Sequence, residues 1–179
     1  NHLGMGIMRG YADDLPLMTW LNDYIWPLEK KMLSGEFVYY STLLSLAESI
    51  RSGVTCINDM YFFAYEGKKA FEKAGIRGYV GFGVLNNFEK AFTNADKFLE
   101  SDLVKLTLCP HALYTVPFDV MKKCAEYVLK NNLILHTHLA ETKDEENQIM
   151  AKYNKRPVEV MNDTGAFDCP SIFAHCVHL

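Results

Sequence analysis

"VKLTLCPHALYTVPFDVMKKCAEYVLKNNLILHTHLAET", Val104 to Thr142, decides the fold. Its first eight residues (104–111) form an apolar run stopped at Pro110, which reads as a strand. "VPFDVMKKCAEYVLKNN" (116–132) carries its apolar residues at helical spacing, with Pro117 in the first turn. "LILHTHLA" (133–140) is a strand again. Strand, helix and strand in succession imply parallel pairing through a crossover helix.

The alternation extends in both directions. Upstream lie a strand at 54–62, a helix at 65–75 ending on Gly75, a strand at 76–84 and a helix at 87–101. Downstream come helices at 142–154 and 156–165, then a strand at 171–179. Ahead of them all, residues 14–32 have helical spacing, with Asp13 or Asp14 as N-cap and a kink or end at Pro27. Residues 35–53 give a second helix, closed by Gly53. The expected fold is α/β, a (β/α)8 TIM barrel that is incomplete in this chain, since such a barrel typically takes about 250 residues. Residues 1–179 then form a single partial barrel domain, lacking the first strand and the last barrel units. An open doubly wound sheet is the alternative, but no G-x-G-x-x-G follows any strand. The chain opens "NHLGMG" and stops at "AHCVHL", and both ends read as cut.

The composition narrows the function. Hydrophobic residues make up 49% and charged residues 22%, as in a soluble globular domain. The net charge of −4 argues against nucleic acid, which needs a basic face. No apolar run approaches the ~18 residues of a membrane span. The five cysteines, Cys56, Cys109, Cys124, Cys169 and Cys176, form no C-x-x-C and are expected as buried free thiols in a cytoplasmic protein.

All six histidines fall at strands or their ends: His2, His111, His136, His138, His175 and His178. A lone histidine in an apolar strand is ordinarily a core residue with a satisfied hydrogen bond. Six placed alike point instead to a metal, since imidazole is the commonest metal ligand and catalytic zinc favours nitrogen ligands. Asn58 and Asp59 stand near the end of the strand at 54–62. Glu141 is either a carboxylate favourable at a helix N-terminus or a proton shuttle beside the histidines. Asp144, Glu145 and Glu146 read as a solvated helix face.

"MRGYADDLPLMTWLNDYIWPLE", "DMYFF", "CPHALYT", "LHTHLAET" and "AHCVHL", taken in order, resemble the amidohydrolase superfamily. The similarity is greatest to its 5-methylthioadenosine/S-adenosylhomocysteine deaminase and chlorohydrolase-like branch. The resemblance implies a TIM barrel of the metal-dependent hydrolase type. It implies hydrolytic deamination of an adenosine derivative, with zinc or another divalent metal such as iron or manganese. His2 matches the second residue of the family's H-x-H pair, and His138 its fifth-strand ligand. Glu141 matches the acid/base glutamate, and His175 the sixth-strand histidine. His111 matches a histidine that contacts the base, and Glu29 a glutamate that holds ribose hydroxyls. Trp20 is expected to line the same pocket. His136 is expected to pack or support rather than ligate. Phe82 stands where relatives often carry an arginine. The first histidine of the pair and the eighth-strand aspartate would lie outside residues 1–179. The expected partner is a small-molecule substrate, with no nucleic acid or membrane and with homo-oligomerisation left open. Two other functions fit the same motifs less closely. One is another amidohydrolase, such as a guanine deaminase or triazine chlorohydrolase. The other is a non-catalytic fragment.

Overall fold

The computed structural model describes residues 1–85, 88–95 and 97–179. The order of elements is a 3₁₀ helix (Leu3–Met8), α1 (Leu17–Thr19), a π-helical stretch (Trp20–Ile25), α2 (Trp26–Met32), α3 (Gly35–Arg51), β1 (Cys56–Tyr61), α4 (Ala64–Ala74), β2 (Arg77–Val84), α5 (Phe88–Ala95), β3 (Val104–Pro110), α6 (Phe118–Asn131), β4 (Ile134–Leu139), α7 (Lys143–Tyr153), α8 (Pro157–Asp163) and β5 (Ser171–His175). The strand order follows the sequence, β1-β2-β3-β4-β5. Two compact units divide the chain: Asn1–Val80 with Glu100–Lys105, and Gly81–Leu99 with Leu106–Leu179.

In the first unit α3 packs on the 3₁₀ helix and on α4. The approach is close because both surfaces are small. A Cβ on Gly6 would run into Ser45 Oγ, and one on Gly4 into the Tyr61 ring. The buried hydroxyls of Ser41 and Ser45 both donate to the Leu3 carbonyl, which ties α3 to the 3₁₀ helix. Ser34 caps α3 by accepting the Phe37 N–H. Gly75 ends α4 in the left-handed conformation. Val38, Leu46, Ile57, Phe71 and Val80 form the apolar interior. Asn1 stands beside β1 in the pattern of a parallel strand: its N–H donates to Asn58 O, and its carbonyl accepts from the Met60 N–H.

In the second unit β4 lies parallel to β3, with Thr107 opposite Ile134, and parallel to β5, with His138 opposite Ala174 and Leu139 opposite His175. β3 and β4 are buried on both faces over most of their length, which is why they read as continuous apolar runs, whereas β5 is partly exposed. Leu108, Leu135 and Leu139 are fully covered, each such burial being worth about 1.5–3 kcal/mol. Phe92 of α5 stacks on Tyr127 of α6, with ring centroids 4.2 Å apart.

Several boundaries differ from the sequence expectations. The first helix starts after Pro16, which offers no side-chain cap, and Asp14 takes a left-handed turn instead of capping. Pro27 does not end that helix. It sits in the first turn of α2, where its missing N–H costs nothing, and the widened π turn comes just before it. The helix expected over 87–101 is α5, Phe88–Ala95; Asn87 and Asp96 lie outside the described residues. β1 runs to Tyr61, so Asp59 is inside the strand and not at its end. β5 stops at His175, because His175 and Cys176 both adopt positive φ (74° and 54°), and His178 therefore lies beyond the strand. Cys109, Cys124 and Cys169 are buried free thiols as expected. Cys56, at the exposed start of β1, is open to solvent, and Cys176 is half-buried. Among the described residues no helix is long and apolar enough to cross a membrane.

Candidate active site

The second unit brings His111, His138, Glu141 and His175 together. Parallel pairing puts them at the carboxyl ends of β3, β4 and β5. His111 follows Pro110, and its N–H bonds Val84 O at 3.0 Å. The His111 carbonyl accepts the main-chain N–H of His138 at 3.0 Å and also its Nδ1 at 2.7 Å. A carbonyl can only accept, so Nδ1 carries the proton and Nε2 carries the ring lone pair. That is the tautomer a metal-ligating histidine needs, with its other nitrogen tied to a backbone carbonyl. The His138 ring lies 4.8 Å from that of His111 and 5.4 Å from that of His175, measured between centroids.

Glu141 is the first residue past the turn that follows β4. Its Oε1 lies 3.3 Å from His175 Nε2. His175 reaches this position through the two left-handed residues that end β5, with the Cys176 N–H bonded to Leu139 O at 2.9 Å. His111 Nδ1 meets Thr115 Oγ1 at 2.7 Å, and that hydroxyl donates onward to Ala112 O. The Tyr114 ring stands edge-on to His111, and its phenol is raised by burial and then by the charges of Glu141 and Glu145. His136, 4% exposed, lies with Nδ1 3.7 Å from Cys109 Sγ.

Glu145 corrects the sequence expectation. It is not on a solvated face but is 1% exposed. Burial raises its carboxyl, against the lowering effect of the Glu141 and Ala140 main-chain N–H groups. The signal in the sequence was Thr142-x-x-Glu145, the pattern of a capping box. Thr142 does cap α7, accepting the Glu145 N–H.

The first unit carries the other predicted residues. His2 Nδ1 donates to the Met60 carbonyl, so it too presents a lone pair at Nε2. The next N–H, that of Leu3, bonds Asp59 Oδ1 at 2.8 Å. Asp59 is buried, which pushes its carboxyl up to about 6 against that hydrogen bond. Glu29 is buried in α2 and accepts the Tyr61 hydroxyl at 2.6 Å. Burial raises the Glu29 carboxyl, and the Tyr61 bond lowers it in part. Trp20 Nε1 donates to Ala12 O at 2.8 Å. Its ring lines a cavity of about 430 Å³ with Met5, Met8, Leu15 and Ile25, beside Arg9, Asp13 and Asp14. Phe82, in the second unit, is buried edge-on against Phe98.

Among the described residues no three His, Cys, Asp or Glu side chains come together as a complete metal-binding group. His2 and His138 nevertheless each have the tautomer of a single ligand, with Nδ1 on a backbone carbonyl and the ring lone pair at Nε2, and in that respect each fits a divalent metal.

The family model described as "Amidohydrolase family" matches residues 1–179. The 5-methylthioadenosine/S-adenosylhomocysteine deaminase of Thermoanaerobacter pseudethanolicus is 40% identical over 99% of this chain and 44% of its own. The 5'-deoxyadenosine deaminase of Methanocaldococcus jannaschii is 41% identical over 99% of this chain and 45% of its own. A crystal structure of an adenosine deaminase from Xanthomonas campestris with bound zinc superposes with a TM-score of 0.94 at 32% identity, over 99% of this chain and 43% of that one. The chain thus spans less than half the length of each of these three relatives. The likeness gives the fold class as a partial (β/α)8 barrel.

Proposed function

Because the chain belongs to the amidohydrolase family, we propose that the protein is a metal-dependent hydrolytic deaminase of an adenosine derivative. Water and the nucleoside would give ammonia and an inosine-type product. The relatives named above support the substrate class. The contact of Glu141 Oε1 with His175 Nε2 at 3.3 Å carries the reading within this chain. It pairs a carboxylate that can move protons with an imidazole that can donate a hydrogen bond.

His2 and His138 would be ligands of the metal, zinc or another divalent ion. When bound, such a metal supplies the Lewis acidity that makes water a nucleophile near neutral pH. Glu141 gives a proton to the purine ring nitrogen and then assists the departure of ammonia. His175 would hydrogen-bond the attacking oxygen and orient it toward C6. His111, its ring held by Thr115, contacts the base. Glu29, held by Tyr61, would accept the ribose hydroxyls, and Trp20 would wall the cavity that it lines with Met5, Met8, Leu15 and Ile25.

The test is ammonia release by the complete protein from methylthioadenosine, S-adenosylhomocysteine, adenosine and guanine, each with and without added zinc. Turnover of the adenosine derivatives and not of guanine is the expected result. Turnover of guanine alone would contradict the reading and leave Glu29 without a ribose to hold.

A further inference from the structure

Glu145 is a buried carboxylate that the deamination scheme does not use. Burying a carboxylate is costly unless hydrogen bonds compensate, and here they fall in an unusual place. In a capping box the carboxylate reaches back to the N-cap N–H. Glu145 instead reaches one residue further: its Oε2 accepts the Glu141 main-chain N–H at 2.8 Å. Its own N–H bonds Thr142 Oγ1 at 3.2 Å, which fixes the start of α7. Its Oε1 is buried without a hydrogen-bond partner among the described residues. Ala140, immediately before Glu141, has φ of 51°, a left-handed turn that a non-glycine residue holds only when its surroundings enforce it. The chain therefore leaves β4 through a strained turn and is caught by Glu145 at the residue whose side chain meets His175.

We propose that Glu145 is a positioning residue: by accepting the Glu141 main-chain N–H it fixes the turn after β4 and aims the Glu141 carboxylate at His175. This rests on the proposed role of Glu141. The acceptor atom and its reach do the holding, and the charge does not. Glutamine keeps both the reach and an acceptor oxygen. Aspartate keeps the charge but is one methylene too short.

Glu145→Gln and Glu145→Asp, made in the complete protein, separate these properties. Turnover of methylthioadenosine, bound metal and hydrogen exchange at the Glu141 amide are measured in each, alone and combined with Glu141→Gln. In Glu145→Gln, kcat should stay near the wild-type value and the amide should remain protected. In Glu145→Asp, kcat should fall about 10- to 100-fold, as displacement of a catalytic group by about 1 Å does. KM and bound metal should be unchanged there, and the amide should exchange freely. Adding Glu145→Asp to Glu141→Gln should cost no further activity, which a general loss of structure would not reproduce. Full kcat with a protected amide in Glu145→Asp would overturn the proposal, as would equal damage in Glu145→Gln. Wild-type protein inactive on every adenosine derivative would instead defeat the deaminase reading, and amide protection would still decide whether Glu145 holds the turn.

Discussion

His138 and His2 each have Nδ1 tied to a backbone carbonyl, but their surroundings achieve this differently. Around His138 the sheet does the work. The acceptor is the His111 carbonyl at the end of the neighbouring strand, which already receives the His138 main-chain N–H. Around His2 strand β1 also supplies the acceptor, the Met60 carbonyl, and pairs with Asn1, but side chains hold the residue that follows. Buried Asp59 takes the Leu3 N–H, and Ser41 and Ser45 take the Leu3 carbonyl. An arrangement set by strand pairing is insensitive to most single side chains. One set by a buried carboxylate depends on that group.

The largest effect expected is common to both. In the complete protein, His138→Ala and His2→Ala should each lower metal affinity by more than about 100-fold, since supporting partners alone are worth about 10–100-fold. Metal content after dialysis measures this, and an unchanged content in either variant would remove that histidine from the ligand set. The contrast itself is sharpened by Asp59→Leu. Loss of the Leu3 anchor should loosen His2 and weaken metal binding about 10- to 100-fold. Were binding unaffected, the dependence of the His2 segment on Asp59 would be refuted.

A smaller effect is expected at Glu29. Tyr61→Phe removes the donor at 2.6 Å from a buried carboxylate, which should reduce stability by about 1–3 kcal/mol in chemical denaturation. It should also raise KM for nucleosides; unchanged stability and KM together would leave the Tyr61–Glu29 pair without a role. Smallest is Thr115→Val, which deletes the hydroxyl that meets His111. One hydrogen bond is worth about 0.5–1.5 kcal/mol, so kcat/KM should fall about 2- to 10-fold. A loss beyond about 100-fold would mean that Thr115 does more than steady the ring.

Much of the fold was legible because parallel strands buried on both faces leave apolar runs, and helices between them leave a 3.6-residue period. The left-handed caps at Gly53 and Gly75 were legible because glycine is the residue suited to them. The end of β5 was not, since His175 and Cys176 carry positive φ with no glycine to announce it. Nor was the π turn before Pro27, which leaves the helical period nearly intact over one turn. Glu145 was misjudged because a run of three acids reads as solvated. The pattern Thr142-x-x-Glu145 gave a capping carboxylate but not its burial, which depends on how the turn after β4 meets β5. Placement of His111, His138, Glu141 and His175 in one group followed from strand ends alone. Their neighbours Thr115, Tyr114 and Glu145 are brought to them by tertiary packing, which leaves no periodic mark in the sequence.

The most direct measurement of the account is turnover by Glu141→Gln in the complete protein, with bound metal determined on the same sample. Loss of a general acid/base predicts a fall in kcat of about 10²- to 10⁴-fold, with metal content unchanged. Activity near that of the wild type would contradict the proposed chemistry, whatever the resemblance to deaminases.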